Sequence, residues 1–306
     1  MAHALRRSAR RTLQLDLPAE TNRKVALLPE RPSATLTQLN TKNHALLLSK
    51  RRKLLDGGVD TYGDCSDYDR AVAPTLVFAQ EEGGTAVCIS PDGLILTCAH
   101  CIAEEPEDLD MEATHWLLFA SGQIVKAVCV AYDDHRDLAL LRVTAAQRDP
   151  NLDNSSPTEP VSASGKLAFP CLPVASAGTR LRNNAPLLCV GHPGSDDLEN
   201  GGKTKYSVLA VSSGAYHGLQ KGQDPHNNAD IGALKHSCWT YWSHSGAPLV
   251  NRDTGDLVGL HSSWDETTVT PRDPDMAMRR GVPLAAISSF LETHQALLSE
   301  TNCVET

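Results

Sequence analysis

Ile89-Ser90-Pro91-Asp92-Gly93-Leu94-Ile95-Leu96-Thr97-Cys98-Ala99-His100 is the stretch on which the fold turns. Pro91-Asp92-Gly93 stands between two apolar runs, Thr85 to Ile89 and Leu94 to Cys98, and that pattern predicts a hairpin. The same texture of short apolar runs broken by turn residues extends outward. Thr75 to Ala79, Trp116 to Ala120, Ile124 to Val130 and Leu138 to Val143 all read as strands. A turn-rich stretch at 149–166 interrupts the pattern and predicts a crossing between two subdomains. Strand-like runs resume at Leu187 to Val190, Tyr206 to Val211, Pro248 to Val250 and Leu257 to His261. Many short strands at this spacing argue for β-barrels or a sandwich. The chain closes on a helix from about Pro283 to Leu298, with Pro at its first position and Leu284, Ile287 and Leu291 on one face.

With 306 residues, the chain exceeds one typical domain of about 100 to 200 residues. Its hydrophobic fraction of 41% supports a sizeable core, which must rest on Val, Leu, Ile and Ala because aromatics make up only 5%. No run approaches the roughly 18 apolar residues that suggest a membrane span. Residues 1–55 carry 12 Lys/Arg against 3 Asp/Glu, a balance of +9, and the remainder carries −18. A basic arm on an acidic body suggests targeting, docking on an anionic partner, an arm lying on its own body, or a solvated tail.

Residues 1–70 read as a basic extension and linker, mostly disordered to about residue 34, helical over 35–55 and linker-like over 59–70. The helix is expected to end at Gly57-Gly58 after a basic last turn. Nine cysteines are an odd number, and Met1 to Leu17 has no apolar core stretch. Together these predict a reducing, intracellular compartment rather than secretion. Arg6, Arg7, Arg10 and Arg11 resemble a mitochondrial presequence, and Lys50-Arg51-Arg52-Lys53 a nuclear patch, so the compartment stays open between cytoplasm, nucleus and mitochondrion.

Three distant segments each offer one member of a catalytic set. Leu96 to Cys101 offers His100 as a base. His135 to Leu141 offers Asp137 as a carboxylate beside an apolar strand, with Asp133 and Asp134 as decoys. Ser243 to Leu249 offers Ser245 as a hydroxyl in a tight turn, where Gly246 permits close backbone approach. A serine alcohol needs an imidazole to take its proton and a buried carboxylate to hold that imidazole. Cys98-Ala99-His100-Cys101 also has the spacing of a redox dithiol, and it presents Cys98, His100 and Cys101 as a potential zinc set. The redox motif lacks its βαβ setting, and a structural zinc site lacks a convincing fourth ligand.

On these residues the chain resembles the trypsin-like serine proteases, and within them the HtrA/Deg branch and the bacterial glutamyl endopeptidases. The resemblance runs from about Ala73 to Ile287. It is carried by Ile89 to His100, Ala127 to Val143, Leu187 to Gly194, Ser245 to Asn251, Val258 to Leu260 and Gly281 to Pro283. It implies an all-β protease domain at about 71–298. Two six-stranded antiparallel β-barrels, at about 71–148 and 167–282, precede a C-terminal helix at 283–298 and a tail at 299–306. It implies His100 as base and then acid, Asp137 as its holder, and Ser245 as the nucleophile that forms an acyl-enzyme. The backbone N–H groups of Ser243 and Ser245 would form the oxyanion hole.

This chain also departs from the family's pattern. Ser243 stands where the family usually has Gly, a position whose backbone is awkward for a residue with a Cβ. A flipped Ser243 peptide would remove one donor, worth about 10² to 10³ in rate. Thr240 and His261 fall where glutamyl endopeptidases bind an acidic side chain, while Trp239, Tyr241 and Trp242 are placed to fill or narrow that pocket. No peptide-binding PDZ module is expected after the last helix. The expectation is a serine endopeptidase acting on protein or peptide substrates, with no cofactor, metal or nucleic acid; oligomerisation is left open. The rivals are a pseudoprotease that binds proteins without turnover, and a metal or thiol site at Cys98, His100 and Cys101.

Overall fold

The computed structural model describes residues 25–29, 39–66, 68–80, 83–150, 167–194, 206–265 and 278–299. In chain order they form β1 (Ala26–Leu27), α1 (Thr41–Leu55), β2 (Val59–Tyr62), β3 (Thr75–Phe78), β4 (Thr85–Cys88), β5 (Leu94–Thr97), β6 (Thr114–Phe119), β7 (Ile124–Asp133) and β8 (Leu138–Ala146). There follow β9 (Pro186–Gly191), β10 (Leu209–Leu219), β11 (Leu234–His236), β12 (Pro248–Asn251), β13 (Leu257–Asp265), β14 (Met278–Pro283), α2 (Leu284–Thr293) and α3 (Gln295–Ser299). Strands β3-β4-β5-β8-β7-β6 close into one six-stranded antiparallel barrel, and β9-β10-β11-β14-β13-β12 close into a second. Closure removes the exposed edges that an open sheet would offer to other chains.

The hairpin at the centre of the sequence argument forms as expected. Ile89 N–H donates to the Leu94 carbonyl at 2.8 Å, and Gly93 N–H to the Ser90 carbonyl at 3.1 Å. Gly93 has φ +86°, and a Cβ there would lie 2.9 Å from Val143 on β8. β5 is buried on both faces, which is why Leu-Ile-Leu-Thr reads as a continuous apolar run rather than an alternation. Ile95 points into barrel one with Leu76, Phe78, Leu117 and Phe119. Leu94 and Leu96 point outward into a second cluster that also holds Leu188, Val190 and Leu260 of barrel two and Ile287 and Phe290 of α2. The two barrels and the terminal helix therefore share one apolar seam. Phe169, three residues past the expected crossing at 149–166 and so in the stretch assigned to barrel two, stacks on Phe119 at 5.7 Å and joins the core of barrel one.

Four strands are absent from the sequence expectation. β11 and β14 carry Lys235, Arg279 and Arg280 and show no clean alternation. The two arginines are nonetheless buried, and Arg280 pairs with Asp265 at 2.6 Å. β1 and β2 lie in the part read as tail and linker. β1 adds in parallel to β8, and β2 adds in parallel to β10. α1 lies between them, capped by the Asn40 side chain, which accepts from Asn43 N–H at 2.8 Å.

Two of the basic residues of α1 are turned to the body of the protein rather than to solvent. Lys50 is fully buried and donates to the Phe78 carbonyl at 3.0 Å, while Arg51 donates to the Gly122 carbonyl at 3.0 Å. Of the alternatives open for the arm, its described part lies on its own body. The helix starts at Thr41 rather than 35, and residues 1–24 and 30–38 lie outside the described residues. α2 begins after Pro283, which ends β14 and stands at the N-cap position rather than at the first helical position, and it buries Leu284, Ile287 and Leu291 as expected. The chain breaks at His294 before α3, so the predicted single helix is two.

Because Leu47 is fully buried, Leu47→Ala is expected to destabilise the whole protein by about 2 to 5 kcal/mol. The urea midpoint would fall with an unchanged m-value. An unchanged midpoint would mean that α1 is a dispensable appendage.

Candidate active site

β5 ends at Thr97 and the chain turns through a short 3-10 segment, Ala99–Cys101, which lifts His100 out of the sheet. Asp137 immediately precedes β8, the neighbour of β5, so strand pairing brings the two residues together. Asp137 has φ +54°, a left-handed conformation that Asp tolerates better than most residues. Its carboxylate Oδ1 accepts from His100 N–H at 3.2 Å and meets the imidazole Nδ1 at 2.8 Å. The decoy acids are otherwise engaged or placed: Asp133 is bonded to the backbone and guanidinium of Arg136, and Asp134 is exposed.

Asp137 keeps 5% of its side chain accessible, while His100 keeps 41%. With Nδ1 facing a carboxylate, the neutral ring is fixed as the Nδ1–H tautomer, which leaves the Nε2 lone pair free to take a proton. Desolvation by its surroundings lowers the His100 pKa. The charge and hydrogen bond of Asp137 raise it by more, so the net shift is upward from the ordinary value.

Ser245 stands on the other side of the seam, in the turn before β12. Its carbonyl accepts from Cys101 Sγ at 3.5 Å, so the nucleophile candidate packs against the neighbour of His100. Its hydroxyl donates to the Ser262 carbonyl at 3.2 Å. The N–H groups of His244, Gly246 and Ala247 are bonded to the carbonyls of Tyr241, His261 and His244, and that of Ser245 is used in none of these bonds.

Ser243 has φ +62°, so a serine occupies the left-handed geometry expected to need glycine. Its carbonyl accepts from Thr85 Oγ1 at 2.9 Å. Thr85, missed in the sequence, is a hub of hydrogen bonds between the barrels. Its N–H donates to the Ser245 carbonyl at 2.8 Å, and its hydroxyl also accepts from His192 N–H at 2.9 Å. Its carbonyl accepts from Thr97 Oγ1 at 2.8 Å. Gly246, at φ +83°, sits so close that a Cβ would lie 2.0 Å from the Thr85 carbonyl oxygen.

Thr240 and His261 are both nearly buried, at 2% exposure, and both are engaged. Thr240 Oγ1 accepts from the Trp264 indole at 3.0 Å, and His261 Nδ1 meets His236 Nε2 at 3.1 Å. Trp242 packs near Trp264 at 6.0 Å, and Trp239 instead stacks on Tyr62 of β2 at 4.0 Å. Trp264 and His236 are the partners of Thr240 and His261 that sequence reading missed. Burial pushes the His236 and His244 pKa values down to about 3, and that of His261 falls well below the ordinary range for the same reason. These rings are neutral at any physiological pH. In the zinc set read from sequence, Cys101 turns to the Ser245 carbonyl, whereas Cys98, His100 and Asp137 hold their ligand atoms within 4.8 Å of one another.

Thr85→Val is expected to leave the Ser243 carbonyl and His192 N–H without their hydroxyl partner. The cost is about 1 to 3 kcal/mol for each unsatisfied buried group, read as a fall in melting temperature. Ser243→Gly should act in the opposite direction, since it relieves about 1 to 2 kcal/mol of left-handed strain. A Ser243→Gly protein that melts no higher would show that the strain is absent.

A family model of the trypsin-like peptidase domain matches residues 84–260, which include His100, Asp137 and Ser245. No curated protein matches the sequence. Among solved structures, the chain is similar to the serine endoprotease from Yersinia pestis. The identity is 20% over 76% of this chain and 67% of that one, with a TM-score of 0.47. The family match spans more than half of the sequence and falls on the two closed barrels, and the chain belongs to the trypsin-like peptidase domain family.

Proposed function

We propose that the protein is a serine endopeptidase in which Ser245 attacks the peptide carbonyl, His100 takes and returns the proton, and Asp137 holds the imidazole. The observation that carries this reading is the 2.8 Å contact between His100 Nδ1 and the buried Asp137 carboxylate, next to Cys101, whose sulfur meets the Ser245 carbonyl at 3.5 Å. Ser245 loses its proton to His100 Nε2 as its oxygen bonds to the carbonyl carbon. The resulting oxyanion is received by the amides of Ser243 and Ser245. The imidazolium then protonates the leaving amine, and water hydrolyses the acyl-enzyme by the reverse proton path. Thr240 and His261 form the pocket for the side chain before the scissile bond. An acidic side chain would accept hydrogen bonds there from a neutral imidazole and a hydroxyl. The substrates are proteins or peptides. We place the protein inside the cell on its odd cysteine count, and propose no resident cofactor.

One observation favours the second reading, a pseudoprotease. In the resting arrangement the Ser245 hydroxyl is bonded to the Ser262 carbonyl, and Trp264 is bonded across to Thr240. A fluorophosphonate probe separates the two. Labelling of the folded protein at Ser245, lost in Ser245→Ala, supports the enzyme; a folded protein that resists the probe supports the pseudoprotease.

The pH dependence follows from the raised His100 pKa. The base must be neutral, so labelling and kcat/KM should fall as pH drops through a value above the usual histidine pKa of about 6.5. Asp137→Asn should cost about 10⁴ in rate and move that acid limb to lower pH. An acid limb unmoved in Asp137→Asn would remove Asp137 from its role. Stability runs the other way. A pKa raised in the folded state favours the protonated form, so this contribution is complete at low pH and disappears as pH rises through the folded value.

A further inference from the structure

Cys98 is fully buried beneath the His100–Asp137 pair, and its sulfur is in contact with the His261 carbonyl at 3.4 Å. Nothing in the acyl-transfer chemistry uses a thiol at this place. Yet its Sγ, a ring nitrogen of His100 and a carboxylate oxygen of Asp137 all lie within 4.8 Å of one another, the one such group among the described residues. Cys101, the other cysteine of the motif, is directed away to the Ser245 carbonyl. We propose that Cys98, His100 and Asp137 form an inhibitory site for a thiophilic divalent cation, with zinc as the fitting ion.

The donor set suits that ion in type, charge and size. Thiolate, imidazole and carboxylate are the three side-chain ligands that zinc takes. One thiolate and one carboxylate cancel the charge of the dication, so a buried site carries no net charge. Tetrahedral zinc, with bonds of about 2.0 to 2.3 Å, sets neighbouring ligand atoms roughly 3.5 Å apart. The His100–Asp137 contact must open by some tenths of an ångström, and a more distant pair must close by up to about 1.3 Å. The fourth position would face the cleft through the accessible side of His100 and take water.

The chemistry of inhibition follows from proton positions. Zinc replaces the Cys98 thiol proton, which leaves to solvent as the Zn–S bond forms. Coordination at His100 Nδ1 requires that nitrogen's lone pair, so the ring proton relocates to Nε2. In that tautomer Nε2 is a donor and has no lone pair for the Ser245 proton. Asp137 is at the same time withdrawn from the imidazole to the metal. The ion thus removes base and holder together while leaving Ser245 and the oxyanion donors in place. The metal site stands on its own geometry, and its inhibitory consequence rests on the protease reading above.

Cobalt(II) and zinc titrations of the full-length protein, in a non-thiol reductant, test the two parts separately. One equivalent of cobalt should give a near-ultraviolet sulfur-to-metal charge-transfer band and the intense visible bands of tetrahedral coordination, displaced by zinc. The charge-transfer band should be lost in Cys98→Ser and Cys98→Ala and kept in Cys101→Ala. Cys98→Ser changes one atom and guards against misfolding in the alanine variant, with circular dichroism as the control. Zinc should slow fluorophosphonate labelling of Ser245 by about 10³-fold or more, reversibly on chelation. Neither Cys98 variant should respond, each compared with itself without metal. No thiolate band, or a band that survives in Cys98→Ser, overturns the site. A band at Cys98 with labelling unaffected by zinc overturns the inhibitory role. If the metal-free protein never labels while the band appears, the metal site stands and the protease reading falls.

Discussion

The candidate site depends on Thr85. This fully buried residue gives barrel one a grip on the turn that carries Ser245 through its N–H, and its hydroxyl holds the carbonyl of Ser243 and the N–H of His192. Its own carbonyl is tied to Thr97, three residues before His100. A continuous set of hydrogen bonds therefore runs from the strand that delivers the imidazole to the loop that delivers the hydroxyl. The apolar seam between the barrels supplies attraction, but apolar contact is non-directional and leaves sliding freedom. Buried hydrogen bonds do not, because a displaced donor loses its partner where no water replaces it. Gly246 completes the lock: any side chain at that position would collide with the Thr85 carbonyl.

The N-terminal segment adds a second tie. β1 extends barrel one and β2 extends barrel two, with α1 between them. One continuous stretch of chain is thus fastened to both halves of the molecule. Tyr62, at the end of β2, stacks on Trp239, which lies six residues before Ser245. The segment therefore packs against the stretch that leads to Ser245 as well as bridging the barrels. Its positive charge is partly spent on this attachment, since Lys50 and Arg51 cap carbonyls of barrel one rather than facing solvent. Burying an ammonium is tolerable only with such partners.

Local chemistry in the sequence was enough for the hairpin and the ten readily recognised strands, and to nominate three candidate site residues. Each of these is announced by neighbours along the chain: Pro-Asp-Gly between apolar runs, an acid before Leu-Ala-Leu-Leu, a Ser-Gly turn before an apolar strand. The features that escaped are those whose reason lies elsewhere in space. β14 reads as Met-Arg-Arg-Gly-Val-Pro, and its arginines make sense in a strand only because Asp265 and Gln220 reach Arg280 from other elements. β2 looks like linker because half of its four residues are polar, and it becomes a strand by pairing with β10. Thr85 is an ordinary strand threonine until Ser243, Ser245 and His192 arrive from 107 to 160 positions away in the chain. Trp264 and His236, likewise, are singled out only by their hydrogen bonds to Thr240 and His261.

The distribution of charge among the imidazoles closes the argument. His236, His244 and His261 are all buried, and burial, with smaller repulsion from Arg279 and neighbouring imidazoles, keeps them unprotonated. His100 belongs to the same neighbourhood and is pushed in the same direction by desolvation, yet its pKa ends higher than usual. The difference is a single carboxylate, Asp137, held in reach by strand pairing and a left-handed turn. Of these four rings, positive charge therefore develops at His100 and not at its neighbours. A proton taken from Ser245 would have one stable resting place, next to an anion already in position, with the surrounding rings unable to compete for it. Fixed dipoles and charges of this kind need no rearrangement as the reaction proceeds, which is where electrostatic catalysis gains most. Among these rings, the neutral cluster thus leaves His100, beside Asp137, as the place where a proton is favoured.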